Sequence, residues 1–125
     1  MCIRDRSLHD LVDEPMVLLD VPPSRTYFPS LFHERGLQPR VCYRSPSFEM
    51  VRAMVGNGMG FTLLGTKPAS STTYDGRAVV ARPLREPATP SRIAIVTRAG
   101  AVSAPATQDF VDQLRAHLAE SANAR

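Results

Sequence analysis

The residues best suited to chemistry are hydroxyl-bearing and clustered in short loops. Ser45-Pro46-Ser47-Phe48 opens an apolar-periodic segment, and Ser24 and Gly65-Thr66 offer further small or hydroxyl-bearing positions. Hydroxyls beside the unpaired N–H groups of a helix N-terminus suit a carboxylate or sulfate group. Phe48 would add an apolar wall and Arg44 a counter-charge. Ser24 and Ser45 also read as ordinary helix caps, so capping and ligand contact are both open at this point.

Other chemistries find little support. His9, His33 and His117 fall on polar positions of three separate helical segments, with no carboxylate or cysteine at ligand spacing, and no metal is expected. Asp13-Glu14 and Asp109/Asp112 sit where solvated helix ends need no catalytic pair. Gly56-Asn57-Gly58-Met59-Gly60 closes a helix and feeds a strand. A phosphate cradle needs the reverse order, strand then glycines then helix. There is no Gly-x-Ser-x-Gly elbow, and no serine or cysteine can be given a base, so the expectation is a non-enzyme without cofactors. Cys2 and Cys42 fit neither a zinc site nor a disulfide framework, and Cys42 reads as a small buried hydrophobe.

The elements that must position these loops follow from apolar periodicity. Ser7 with Asp10 three residues later reads as a capping box for a short helix carrying Leu8, Leu11 and Val12 on one face, closed by Pro15. Met16-Val17-Leu18-Leu19 is a continuous apolar run, as in a strand buried on both faces of a parallel sheet. From Ser24 to Arg35, Tyr27, Phe28, Leu31 and Phe32 recur at helical spacing; Pro29 places the regular start near Thr26 or a kink, and Gly36 supplies a left-handed end. Arg40 to Tyr43 reads as a strand, Ser45 as the cap of a second helix with Pro46 in its first position, and Phe48, Val51 and Val55 as that helix's face, with Met50 and Met54 alongside.

Phe61 to Leu64 reads as a third strand, Lys67 to Arg77 as a loop with a turn at Tyr74-Asp75-Gly76, and Ala78 to Ala81 as a strand. Pro83 to Pro90 is an extended connector. Arg92 to Val96 alternates like a strand, and a last helix carries Phe110, Val111, Leu114 and Leu118 on one face. Repeated βα units predict an α/β fold with an open, mostly parallel sheet. In such a sheet, ligands bind beyond the carboxyl ends of the strands, where the three hydroxyl-bearing loops converge.

Composition sets the outer bounds. The chain has 125 residues, 43% hydrophobic and 22% charged, which suits one ordinary domain. No apolar run approaches the roughly 20 residues needed to span a bilayer. The N-terminus lacks a secretory signal, so a cytoplasmic setting is expected. The net charge is +3, but the basic residues are scattered along the chain, and no nucleic-acid stripe emerges.

Leu8-His9-Asp10-Leu11-Val12-Asp13-Glu14-Pro15-Met16-Val17-Leu18-Leu19-Asp20, then Tyr43 to Val55, then Gly58-Met59-Gly60-Phe61-Thr62-Leu63-Leu64 together resemble the effector-binding domain of bacterial LysR-type transcriptional regulators. The resemblance implies a periplasmic-binding-protein-like fold of two lobes with a small-molecule effector between them. Residues 7–91 would form the second lobe, and 92–125 a return strand and C-terminal helix belonging to the first. It implies effector contact by Ser45 to Phe48, with Gly65-Thr66 a further match. It also implies a homo-oligomer through the Tyr27 to Arg35 helix, and DNA binding only through an N-terminal domain with no counterpart here. Met1 to Arg6 resembles a translated sequencing adapter and reads as a non-native leader. The function expected is effector sensing for transcription control. The alternatives are a solute-binding lobe serving transport and, less favoured, a small α/β enzyme.

Overall fold

A four-residue strand at the centre organises the first half of the chain. The computed structural model describes residues 5–88 and 94–123, which fall in two units, Met1–Pro90 and Ser91–Arg125.

In the first unit the elements are α1 (Leu8–Leu11), β1 (Met16–Leu19), α2 (Ser24–His33), β2 (Val41–Ser45) and α3 (Phe48–Gly56). Every residue of β1 is buried, and its side chains alternate between two cores. Met16 and Leu18 join Leu8, Phe28, Leu31, Phe32 and Leu63 on the side of α1 and α2. Val17 and Leu19 join Val51 of α3, with Met54, Val55 and Leu64 packed around them. A strand apolar at all four positions therefore has helices on both faces, as the sequence predicts.

β2 pairs with β1 in parallel, with Val17 opposite Tyr43, Leu18 opposite Arg44 and Leu19 opposite Ser45. It begins and ends later than the expected Arg40 to Tyr43. On the other side of β1 the expected third strand is one parallel bridge, Met16 to Phe61. There Phe61 N donates to Pro15 O (3.0 Å) and Val17 N donates to Phe61 O (2.8 Å). Beyond Phe61 the chain is held by side-chain burial rather than ladder bonds, since Leu63 enters one core and Leu64 packs against the other. Gly60 makes the approach possible. Its φ is +138°, and a Cβ there would lie 2.0 Å from Pro15 O.

The helix ends obey local rules with two corrections. Ser7 caps α1 as expected, its Oγ accepting from His9 N (3.2 Å) while its own N–H donates to Asp10 Oδ2 (3.2 Å). α2 starts at Ser24 rather than Thr26 and holds Pro29 inside it. Pro23, not Ser24, is its cap, because the Pro23 carbonyl accepts from Thr26 N (3.1 Å) and Tyr27 N (3.0 Å). Its far end is a glycine termination as predicted: Gly36 has φ +68°, and Leu37 N reaches back to Phe32 O (3.0 Å). α3 is capped by Ser47, not Ser45. The Ser45 carbonyl is taken across the sheet by Asp20 N (2.8 Å), whereas Ser47 O accepts the first helical bond from Val51 N (3.1 Å). Phe48, expected on the apolar face, and Met50, expected alongside it, stay exposed, and Val51 carries the contact.

After Phe61 the turn at residues 74–76 forms as predicted, but the strand expected at Ala78 to Ala81 is one antiparallel bridge between Thr72 and Ala78. Leu84 then pairs with Arg6, whose N–H donates to Pro83 O (3.1 Å) and whose carbonyl accepts from Arg85 N (3.0 Å). Cys42 is exposed rather than buried. It lies on β2, which has a partner strand on one side only among the described residues. Cys2 lies outside the described residues.

The second unit holds α4 (Pro105–Asn123). Of the strand expected at Arg92 to Val96, Arg92 and Ile93 lie outside the described residues and 94–96 form no strand. An alternating pattern without a partner strand has no ladder to join, and Ile95 and Val96 are exposed. The expected apolar stripe of α4 is present and largely uncovered, with Phe110 and Leu118 exposed and Val111 and Leu114 half-buried. No described helix is long and apolar enough to cross a membrane.

Phe32→Ala will lower the unfolding free energy of the first unit by about 3–5 kcal/mol in a denaturant titration, since Phe32 is fully buried between α2 and β1. Met50→Ala, at an exposed position, will stay within about 0.5 kcal/mol of the parent.

Candidate functional site

Because β1, β2 and the Phe61 segment run parallel, the chain leaves all three at the same sheet edge. That edge carries residues 20–24, 46–48 and 65–66, the loops the sequence singles out. Ser24 is the half-buried first residue of α2. Ser45 is buried at the end of β2, and its Oγ accepts from Ser47 N (3.2 Å). Pro46, Ser47 and Phe48 are exposed, with Ser47 Oγ accepting from Met50 N (3.2 Å). Gly65 and Thr66 are exposed beyond Leu64.

Both serine oxygens therefore act as acceptors for backbone N–H groups, and each hydroxyl also carries a hydrogen to donate. The first-turn N–H groups of Phe48 and Glu49 have no intrahelical partner. Hydroxyls and helix N-terminal N–H groups together have the chemistry to accept an anion. Asp20, at the same edge, is matched by Arg25, whose Nε lies 2.8 Å from Asp20 Oδ1. Arg44 is exposed on β2. A concavity of about 400 Å³ is lined by residues 67–71 and 79–81. It begins one residue beyond Thr66 and includes none of the seven predicted contact residues.

The structure adds a polar network that sequence patterning missed. Glu49 and Arg52 lie one turn apart on α3 with Arg52 NH1 2.7 Å from Glu49 Oε2. Arg52 NH2 donates to Ser70 O (2.7 Å) and Thr72 O (3.2 Å), and Tyr74 N donates to Glu49 Oε1 (2.8 Å). At the other end of α3, Asn57 Nδ2 donates to Asp75 Oδ2 (2.8 Å), and Thr73 Oγ1 donates to Asp75 Oδ1. The i, i+3 spacing of Glu49 and Arg52 was a visible signal; their carbonyl and N–H partners were not.

A second group closes the opposite end of the unit. Glu86 Oε1 accepts from Ser7 Oγ, and Leu8 N lies 3.1 Å from each of its carboxylate oxygens. Burial pushes the Glu86 carboxyl upward, but the Ser7 hydroxyl, backbone N–H groups including that of Leu8, and the Arg35 charge outweigh it and hold it below the ordinary value. Tyr74 N–H and then Arg52 hold Glu49 below its ordinary value. The Thr73 hydroxyl and then the Asn57 amide do the same for Asp75. Among the described residues no three His, Cys, Asp or Glu side chains could hold a metal ion, and His9, His33 and His117 lie on exposed positions.

Comparison with known proteins finds the same family by its family model and among solved structures. The LysR substrate binding domain matches residues 4–119. Among solved structures, HinK, a LysR family transcriptional regulator from Pseudomonas aeruginosa, is 60% identical over 68% of this chain and 29% of its own, with a TM-score of 0.66. The PA01 protein from the same organism, assigned to the LysR family, is 58% identical over 70% of this chain and 31% of its own, with a TM-score of 0.68. The C-terminal domain of a LysR family regulator from Rhodococcus sp. RHA1 is 44% identical over 72% of this chain and 43% of its own, with a TM-score of 0.66. No curated protein matches the chain. The chain thus spans less than half the length of these solved relatives, which are LysR family transcriptional regulators.

The three depressed carboxyls set an acid limit. A carboxyl held below its unfolded value adds stability that is complete above the ordinary carboxylate range and is lost as pH falls through the lowered folded value. Denaturant titrations from pH 6 down to pH 3 will show falling stability, and Glu86→Gln will flatten that slope relative to the parent.

Proposed function

The chain belongs to the family of LysR substrate-binding domains, and on that premise we propose that it is the effector-sensing part of a LysR-type transcriptional regulator that takes a small anionic metabolite. The match across residues 4–119 carries this reading. The parallel edge adds the chemistry: O–H groups at Ser45 and Ser47, first-turn N–H groups of α3, and Gly65-Thr66 across the sheet. Ser24 and Pro46 shape the rim, and Phe48 supplies the apolar wall. Binding signals occupancy; it does not turn over a substrate.

In this proposal residues 7–91 are the second of two lobes and 92–125 return to the first, so effector sits between lobes and α4 packs on chain segments that the longer relatives possess. The relatives extend well beyond this chain, and DNA contact belongs to such a segment. Residues 27–35 form a homo-oligomer contact, and the protein works in the cytoplasm. An effector acts there only through unequal affinity for two states of the whole regulator.

In the complete regulator, a screen of small carboxylates by thermal shift will find a stabilising ligand. Ser47→Gly, which costs a helix cap only a few tenths of a kcal/mol, will weaken that ligand about tenfold, the scale of a hydrogen bond to a charged group. An unchanged titration overturns the Ser47 contact. In the 125-residue chain alone, amides of α4 will exchange faster than those of β1 because α4 lacks its partner surface. Equal protection overturns the assignment of residues 92–125 to the other lobe and makes the chain a self-contained domain.

A further inference from the structure

We propose that Arg52 is a positioning residue of the site: it ties the segment bearing Gly65 and Thr66 to α3, whose first turn bears Ser47 and Phe48, so that the two ligand-facing segments hold one spacing. This rests on the effector-site reading above. Residues 65–69 make no backbone–backbone hydrogen bond among the described residues. Their place is set by what fixes their two ends. One end is Leu63, buried in the core. The other is Ser70, whose carbonyl accepts from Arg52 NH2 at 2.7 Å.

Arg52 is only 7% exposed, and its Nε has no partner. Burying a guanidinium costs free energy that an alkyl side chain at the same position would not incur. Its retention there makes sense as a fork that reaches three groups at once: Glu49 on its own helix, Ser70 O and Thr72 O on the loop. Glu49 completes the tie by taking Tyr74 N–H. Further along α3, Asn57 holds Asp75. At Gly56 the segment after the turn comes so close that a Cβ would lie 2.9 Å from Arg77 Cβ. The segment from Ser70 to Arg77 is therefore fastened along the length of α3, and residues 65–69 hang between that fastening and the core. The same tie shapes one wall of the concavity lined by residues 67–71.

The test is 15N NMR on the chain and on Arg52→Gln and Arg52→Lys, with sodium acetate as the carboxylate probe. Without ligand, backbone order parameters of residues 65–72 will fall in Arg52→Gln while those of β1 and α3 hold, and Arg52→Lys will fall less. Unchanged order parameters in both variants overturn the proposal, and the lysine variant decides it if the glutamine variant fails to fold. With acetate, amides 47–49 and 65–66 will shift together in the parent. In Arg52→Gln the response at 65–66 will drop at least fivefold while 47–49 still respond. A full response at 65–66 in that variant overturns the proposal. No shift in the parent means that acetate needs the other lobe of the complete regulator, and the order parameters then decide the role of Arg52 by themselves.

Discussion

Everything in the first unit depends on keeping four consecutive apolar residues, Met16 to Leu19, out of water on both sides. A strand with one wet face needs one helix. This one needs two, and its alternation divides the labour: Met16 and Leu18 require α2, and Val17 and Leu19 require α3. Parallel strands joined by crossover helices supply that cover on both faces. Parallel connections send every following loop to one edge, so the gathering of hydroxyl-bearing loops there is a geometric result of burying β1.

What the sequence made legible tracks how local the deciding interaction is. The Ser7 capping box, the left-handed Gly36 and the turn at residues 74–76 are decided within a few residues, and each forms as read. β1 was readable because an uninterrupted apolar run has few other homes. The capping hydroxyl of α3 lies two residues beyond the Ser45 that the local pattern predicts, because the decision lies across the sheet, where Asp20 N claims the Ser45 carbonyl. The strands expected at Phe61 to Leu64 and Ala78 to Ala81 shrink to single bridges for a related reason: an alternating pattern does not say whether a neighbour will supply ladder bonds or only a core to lean on.

The site divides in the same way. Which loops share an edge follows from topology, and topology followed from the βα pattern together with the family resemblance. How rigidly those loops are held does not follow from either. That depends on Arg52 and Glu49 finding carbonyl and N–H groups some 20 residues away, pairings that leave no periodic trace. A buried cation on an otherwise ordinary amphipathic helix is the kind of local inconsistency that marks a position chosen for something other than the stability of its own element.

The glycines of this unit separate two kinds of evolutionary constraint. Gly60 can accept no side chain, because any Cβ would collide with the Pro15 carbonyl on which the Phe61 bridge depends. Gly65 has no left-handed φ, and a Cβ there would meet open space. Natural variation at Gly60 is therefore silenced by the backbone whatever the protein senses. At Gly65 the fold of this unit is indifferent, so any intolerance uncovered there by selection would have its origin outside the unit, as the proposed effector contact requires.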